Sequence, residues 1–369
     1  MTDAGPGAPF EAVDHALMAR ALRLAEKGLW TTDPNPRVGC ILAHGARIVG
    51  SGWHRRAGGP HAEIAALSEA GADARGSTAY VTLEPCSHHG RTPPCADALI
   101  EAGVRRVVCA VRDPYPAVAG SGVQRLRAAG IEVRSGLMES EARALNPGFL
   151  SRHERGRPWF RAKLASSLDG RSVGADGASK WITGPEARRD GHRWRARAGA
   201  ILTGIDTVLA DDPSLDVRLE SHRAALPVVI VDSRGRLPAG ARVLHTGARV
   251  IQVSLPGAGS PPAGCERIET GDNGAGRIDL QALAVTLAAY EFNEVHVEGG
   301  AVLTGALLAA GLVDELLLYQ AKCLIGADGG PLVRLPGVEK LEHRLQFQML
   351  ERRDLGPDTR LRLRPAGGR

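Results

Sequence analysis

Aromatic residues make up only 4% of this 369-residue chain. So thin a supply gives no platform on which single-stranded nucleic acid could stack. No apolar run approaches the ~18–20 residues needed to cross a bilayer. The first twenty residues, MTDAGPGAPFEAVDHALMAR, lack the basic stretch followed by an apolar core that marks a secretory signal, so a cytoplasmic location is expected. There is no GxGxxG, no internal repeat and no long block of like charge. Six cysteines in a chain of this length do not make a disulfide framework. The formal net charge of +5 leans weakly towards anionic ligands. Apart from denser stretches at Arg152–Arg161 and Arg188–Arg197, the arginines are scattered, with no stripe or motif of a DNA-binding protein. The expected partner is a small phosphorylated molecule, with no nucleic acid and no membrane. A homo-oligomer is also expected.

What is present is ordinary for a globular protein: 43% hydrophobic and 24% charged residues. At roughly 100–200 residues per domain, the length predicts two domains. Val13, Leu17, Ala21, Leu24 and Ala25 recur at helical spacing over Glu11–Lys27, and Gly28 ends the run. Strands are predicted at Val38–Leu42 and Arg47–Gly52, around His44-Gly45. A helix over His61–Ala70, a strand over Ala79–Leu83, a helix over Cys95–Ala102, a strand over Arg106–Val111, a helix over Val123–Ala129 and a strand over Ile131–Val133 follow. This order predicts a sheet between helices. Asn146–Pro158 is arginine-rich without clear periodicity and reads as a linker, dividing a domain at 1–150 from one at 151–369. Alternation then restarts, with strands at Trp159–Ala165, Ala200–Thr203, Val228–Asp232, Arg249–Val253 and Val295–Glu298. Helices are predicted from a Thr183–Glu186 capping box to Ala198, at Leu280–Ala289 and at Ala301–Ala310. Ser254–Gly264 reads as a surface loop, and Arg188, Arg189, Arg193 and Arg197 as solvated helix charges.

The strongest chemical signal is Pro60-His61-Ala62-Glu63, followed by Glu84-Pro85-Cys86 and Pro94-Cys95. His61, Cys86 and Cys95 are three ligands suited to Zn²⁺, and three protein ligands leave one position for water, as in catalytic sites. His88 or His89 offers a fourth ligand for a closed, structural site. Glu63, two residues after His61, is placed to carry protons as the catalytic residue. Two residues apart in a helix interior would point away from each other, so the pair must stand at the helix mouth. The remaining cysteines, Cys40, Cys109, Cys265 and Cys323, are expected to be inert core thiols. A general signature of zinc deaminases is H-x-E with P-C-x-x-C; here eight residues, SHHGRTPP, separate the cysteines.

That long loop, together with Pro34-Asn35-Pro36-Arg37-Val38-Gly39, Gly52-Trp53-His54 and Gly59-Pro60-His61-Ala62-Glu63, resembles the bifunctional deaminase–reductase family of riboflavin biosynthesis. In the second half, Lys163–Arg171, Ser179–Thr183, Ala210–Arg218 and Val231-Asp232-Ser233 are similar to the same family. The resemblance runs over essentially the whole chain. It implies an α/β protein: an N-terminal cytidine-deaminase-like three-layer domain and a C-terminal dihydrofolate-reductase-like α/β domain. It further implies zinc-dependent hydrolytic removal of the 2-amino group of 2,5-diamino-6-(5-phosphoribosylamino)pyrimidin-4(3H)-one. NADPH-dependent reduction of the ribosyl chain of 5-amino-6-(5-phosphoribosylamino)uracil to ribityl would follow.

By the same resemblance, Asn35 and His54 lie near the pyrimidine, and His88 and Arg91 hold the ribose phosphate. Ala165, Trp181, Thr207, Asp211, Ser233 and the run Gly300, Ala301, Val302, Leu303, Thr304, Gly305 and Ala306 would line the NADPH site. Ser179, Arg195, Leu215, Arg218 and Glu298 would contact the sugar phosphate. The plain alternatives are a turn residue for Asn35, a solvated charge for Arg91, a core aromatic for Trp181 and a loop cap for Asp211. The glycine turn Glu298-Gly299-Gly300 opens a helix whose amides could hold a pyrophosphate. Tyr115, Ser121 and Lys322 depart from the family's usual residues and are assigned no role. Two other readings stand beside this one: a nucleobase or tRNA deaminase fused to an unrelated nucleotide-binding domain, and a non-enzymatic zinc protein acting as a nucleotide sensor. Glu63 argues against the latter, because structural zinc needs no proton shuttle.

Overall fold

The computed structural model describes residues 9–87, 94–115 and 119–366. The chain divides into two compact units, Met1–Arg155 and Gly156–Arg369. The first contains α1 (Ala12–Ala25), β1 (Gly39–His44), β2 (Arg47–Trp53), α2 (Ala62–Ala70), β3 (Thr78–Val81), α3 (Cys95–Glu101), β4 (Arg106–Cys109), α4 (Ser121–Ala128), β5 (Glu132–Ser135), α5 (Glu139–Leu145) and α6 (Pro147–Arg155). Its sheet runs β2-β1-β3-β4-β5, with β1 antiparallel to both neighbours and β3, β4 and β5 parallel. Side chains alternate across such a sheet. Ile41, Ala43, Tyr80 and Val108 therefore join Leu17, Met18 and Ala21 of α1 and Phe149 of α6. Cys40, Leu42, Val81 and Val107 join Ala66 of α2, Leu99 of α3 and Leu126 of α4. The result is three layers, helices on both faces of one sheet.

Two glycines seat the helix that carries His61 and Glu63. A Cβ on Gly50 would come within 2.2 Å of the Ala66 carbonyl, and one on Gly52 within 2.3 Å of the Ala62 carbonyl. Backbone thus packs directly on backbone where β2 meets α2.

The predicted linker is largely helical. In α6, Gly148, Phe149, Leu150 and Ser151 are buried, and the break between units follows Arg155, not residue 150. Its nine residues are too few for a clear period.

The second unit contains β6 (Trp159–Ser166), β7 (Arg171–Val173), α7 (Pro185–Ala196), β8 (Ala200–Gly204), α8 (Ile205–Asp211), β9 (Val217–Arg218), β10 (Arg223–Ala224), β11 (Val228–Val231), β12 (Val250–Ser254), β13 (Cys265–Glu269), α9 (Leu280–Ala289), β14 (Glu294–Val297), α10 (Ala301–Ala309), β15 (Val313–Gln320), β16 (Gly330–Pro331), β17 (Phe347–Leu355) and β18 (Asp358–Pro365). Its main sheet runs β13-β12-β11-β8-β14-β6-β15-β18-β17, parallel from β13 to β15 and antiparallel over β18 and β17. One face packs Phe160, Leu202, Val229, Ile251 and Val297 against Leu283 and Leu287 of α9 and Leu307 of α10.

The Thr183 capping box does not form. Gly184 is the N-cap of α7 and Pro185 its first residue, and the Gly184 amide donates to the Asp358 carboxylate at 2.6 Å. Arg197 is no solvated charge: it donates to Glu294 at 3.1 Å and lies over Trp194. Cys323 is exposed and Cys265 half-buried, so neither is a core thiol.

Beneath α7 lies a buried ion cluster. Arg161 on β6 reaches Glu294 on β14 at 2.5 Å and Glu315 on β15 at 2.9 Å, and stacks on Trp194. Burial pushes the Glu315 carboxyl up, but Arg161 and Arg362 outweigh it and hold it at about 2.

Two predictions follow from this packing. Gly52→Ala must push α2 off the sheet, destabilising the first unit by about 1–3 kcal/mol in chemical denaturation. For Glu315, a folded-state value below the ordinary 4.5 means stability present above pH 4.5 and lost as the pH falls towards 2. Glu315→Gln should therefore unfold more easily by on the order of 3 kcal/mol near neutrality. The gap from the native chain should narrow between pH 4.5 and 2 in thermal melts.

Candidate functional site

His61 is the N-cap of α2, its backbone still extended at φ −70°, ψ 163°, and Glu63 is the second helical residue. This change of backbone at the helix mouth lets both side chains face one place. His61 Nδ1 lies 3.2 Å from Cys95 Sγ and 3.5 Å from Cys86 Sγ, and the three ligand atoms lie within 4.8 Å of one another. Cys95 opens α3, and its amide donates to Cys86 Sγ at 3.4 Å. An imidazole nitrogen and two sulfurs at this spacing fit tetrahedral Zn²⁺ with one corner open. Among the described residues no fourth ligand joins them. His88 and Arg91 lie outside the described residues.

The site's electrostatics follow from burial and sharing. The Cys95 thiol donates to Cys86, and with His61 it pulls the Cys86 thiol down to about 4; the same sharing pushes Cys95 up. Glu63 is 3% exposed. Burial pushes its carboxyl up to about 7, against the pull of His61, and it contacts Cys95. Next to the metal cluster, His54 Nδ1 faces the Pro60 carbonyl at 3.0 Å and its Nε2 faces Asn35 Nδ2 at 3.1 Å. That network assigns the proton to Nδ1 and makes Nε2 an acceptor. The His54 and His61 rings meet edge to face, 5.5 Å apart. The loop bearing Asn35 is pinned by Asn146, whose side chain exchanges two 2.8 Å hydrogen bonds with the Arg37 backbone.

Sequence reasoning gave Glu84 no role. It is buried, and its carboxylate accepts from the amides of Asp113 at 3.2 Å, Gly120 at 3.0 Å and Val123 at 3.1 Å. This ties the Cys86 segment to the start of α4. Its place immediately before Pro85-Cys86 was the available signal.

In the second unit, Ala165, Thr207, Ser233 and Gly300 stand at or after the C-terminal ends of the parallel strands β6, β8, β11 and β14, on one edge of the sheet. Ligands of open α/β sheets bind along that edge. Gly300 is the N-cap of α10, and its amide donates to Thr207 Oγ1 at 3.2 Å. The amides of Ala301, Val302 and Leu303 in the first turn have no acceptor inside the helix. Thr304 Oγ1 donates to the Gly299 carbonyl at 3.3 Å. A Cβ on Gly305 would come within 1.8 Å of the Arg334 carbonyl, and Ala306 follows it in α10.

Ser179 donates to Asp211 at 2.7 Å, joining one expected substrate residue to one expected cofactor residue. Trp181 is 68% exposed with Arg188 stacked on it, which excludes the core-aromatic alternative. Leu215 is buried with φ +53°. Arg195 forks onto Glu298 at 2.7 and 2.9 Å and also donates to the Asp216 carbonyl. Three of its five N–H groups are thus engaged, and two of them orient Glu298. Burial raises the Glu298 carboxyl, but Arg195 and His296 hold it well below the carboxylate range. Arg218 is half-exposed and pairs with Asp216 at 2.6 Å. His296, which sequence reasoning also passed over, is fully buried with Nε2 3.4 Å from Glu298 Oε1. Two-residue alternation with Glu298 on a buried strand was its only mark.

The geometry defines a class: a deaminase-type zinc centre on a three-layer unit, followed by an open α/β unit with a dinucleotide-type edge. Residues 11–111 match the cytidine and deoxycytidylate deaminase zinc-binding region, and residues 158–361 match the RibD C-terminal domain. Escherichia coli (strain K12) riboflavin biosynthesis protein RibD is 49% identical over 363 residues, covering 95% of this chain and 99% of that protein. Acinetobacter baumannii RibD superposes with a TM-score of 0.88 at 43% identity, over 96% of this chain and 99% of that one. The Thermotoga maritima diaminohydroxyphosphoribosylaminopyrimidine deaminase/5-amino-6-(5-phosphoribosylamino)uracil reductase does so with a TM-score of 0.87 at 34% identity, over 96% and 99%. This chain belongs to the RibD family.

Metal analysis of the purified protein should find about one zinc per chain, the stoichiometry of a three-ligand catalytic site. Cys95→Ser should lower that content, while far-ultraviolet circular dichroism stays native.

Proposed function

We propose that the chain carries out two successive reactions of riboflavin biosynthesis, each in its own unit. The first is hydrolytic deamination of 2,5-diamino-6-(5-phosphoribosylamino)pyrimidin-4(3H)-one. The second is NADPH-dependent reduction of the resulting 5-amino-6-(5-phosphoribosylamino)uracil to its ribityl form. The single observation that carries the first step is the buried Glu63 carboxyl against an N,S,S cluster with an open corner.

His61, Cys86 and Cys95 would hold the zinc, which when bound supplies Lewis acidity that makes a water deprotonable near neutral pH. Glu63 does the proton work. Buried beside the ligand cluster, it accepts a proton from the attacking water and returns protons to the ring nitrogen beside the amine-bearing carbon and to the leaving amine. The carbon–amine bond breaks, ammonia leaves and a carbonyl remains. Asn35 and His54, held to each other beside the metal cluster, orient the pyrimidine. His88 and Arg91 take its ribose phosphate, Arg91 by a guanidinium fork.

In the second unit the Gly300 turn and the first-turn amides of α10, lined by Ala301 to Ala306, cradle the pyrophosphate of NADPH. Ala165, Trp181, Thr207, Asp211 and Ser233 line the rest of that edge. The cofactor would supply a hydride to C1′ of the ring-opened imine, formed when the C1′–O4′ bond breaks and the amine proton passes to O4′; the imine nitrogen then takes one proton from solvent. Glu298, fixed by Arg195, meets the sugar hydroxyls. Ser179, Leu215 and Arg218 complete the sugar-phosphate side.

Ammonia and 340 nm absorbance, followed with and without NADPH, test this reading. Ammonia should appear without NADPH, and NADPH should be consumed only when the deaminated product is present. Glu63→Gln should slow ammonia release by about 10²–10⁴-fold while reduction of supplied product continues. Loss of both activities in a folded Glu63→Gln chain would refute the two-site picture.

A further inference from the structure

A carboxylate that meets a substrate has two oxygens, and the protein must leave one of them accessible. In Glu298 the backbone is fixed first. Its amide donates to the Leu202 carbonyl at 2.9 Å, and its carbonyl accepts from Thr203 Oγ1 at 2.8 Å. The side chain is then held unequally. Arg195 Nε donates to Oε1 at 2.7 Å and Arg195 Nη2 to Oε2 at 2.9 Å. His296 Nε2 lies 3.4 Å from Oε1, the oxygen that Nε already holds. Among the described residues Oε2 accepts from the guanidinium alone, and the Glu298 side chain keeps 16% of its surface open.

His296 has no other use for its proton. It stands on β14 between Ile201 of β8 and Arg161 of β6. Two residues before Glu298, it shares that residue's face of the sheet. The ring is fully buried, and neither nitrogen makes a hydrogen bond of ordinary geometry among the described residues. Such a group in a protein interior calls for an explanation. Burial, with Arg195 of α7 and Arg161 of β6 close by, holds the ring below the ordinary histidine range in spite of Glu298. A neutral ring carries one N–H. On Nε2 that N–H faces the carboxylate. On Nδ1 it would have no acceptor, and the Nε2 lone pair would be set against Oε1. Hydrogen bonds of active sites are often long without substrate and tighten in the complex.

We propose, on the reading of Glu298 as the carboxylate that meets the sugar, that His296 is a positioning residue for the reduction. Its Nε2–H joins Arg195 Nε in occupying Oε1, which turns Oε2 to the sugar hydroxyl. Fully buried, His296 touches neither cofactor nor substrate and acts through Glu298.

Reduction of supplied 5-amino-6-(5-phosphoribosylamino)uracil by the full chain, followed at 340 nm, tests this. His296→Phe fills the space without a donor and should lower kcat by about 10- to 100-fold, with KM little changed. His296→Gln, which returns an N–H near the place of Nε2, should recover part of that loss. The decisive comparison is a double-mutant cycle with Glu298→Ala, its residual rate read in single turnovers. In that background His296→Phe should change the rate by less than about twofold. NADPH binding, read by quenching of nicotinamide fluorescence, reports that each variant is folded. If His296→Phe does not fold, His296→Gln carries the same cycle, with a partial loss beside Glu298 and none beside Ala. A folded His296→Phe chain with the native kcat overturns the proposal. So does an equal loss with and without Glu298, the mark of packing alone. A Glu298→Ala chain that reduces at the native rate overturns the reading of Glu298, and this inference with it.

Discussion

Three donor atoms from three separate stretches of chain stand within 4.8 Å of one another, and most of the first unit serves to keep them there. His61 ends a loop and begins α2, Cys86 follows β3, and Cys95 opens α3. Each would wander if its element moved. Gly50 and Gly52 let α2 lie on β2 without intervening side chains. The Glu84 carboxylate gathers three amides and fixes the Cys86 segment. Packing and hydrogen bonding thus prearrange a ligand set that could not assemble by itself in a flexible chain. The same compactness buries Glu63 beside the ligands, and that burial pushes its carboxyl up.

The second unit solves another problem with charge. Its parallel strands end on one edge, and groups there are oriented by an ion pair and by a hydrogen bond to a carboxylate. Arg195 holds Glu298, and Asp211 holds Ser179. Under α7, Arg161, Glu294, Glu315 and Arg362 form a network around Trp194. A buried cluster of this kind is weak grounds for stability but demanding in geometry.

Much of this was legible in the sequence. The H-A-E and Pro-Cys pairs announced the metal cluster, because ligand chemistry admits few residue types. The one-sided helix α1 carried a readable period, and β1, buried on both faces, read as a short apolar run. Elsewhere the signal was absent for physical reasons. Residues in β17 are exposed or half-buried throughout, so no alternation marks that strand. Nine residues in α6 are too short a window. The Thr183 box looked sound, yet Asp358, 174 positions from Gly184 in sequence and adjacent in space, took the Gly184 amide. Arg195 reads in sequence as a lone phosphate ligand, and only the fold shows that Glu298 shares its guanidinium. Long-range partners decide such cases, and one chain read in order does not reveal them.

The central claim is that deamination needs the metal cluster while reduction does not. Stripping the purified protein with a chelator and then assaying both reactions tests it most directly. Ammonia release should vanish, reduction of supplied 5-amino-6-(5-phosphoribosylamino)uracil should persist, and one equivalent of zinc should restore the first. Full-rate ammonia release from a verified metal-free chain would contradict the account.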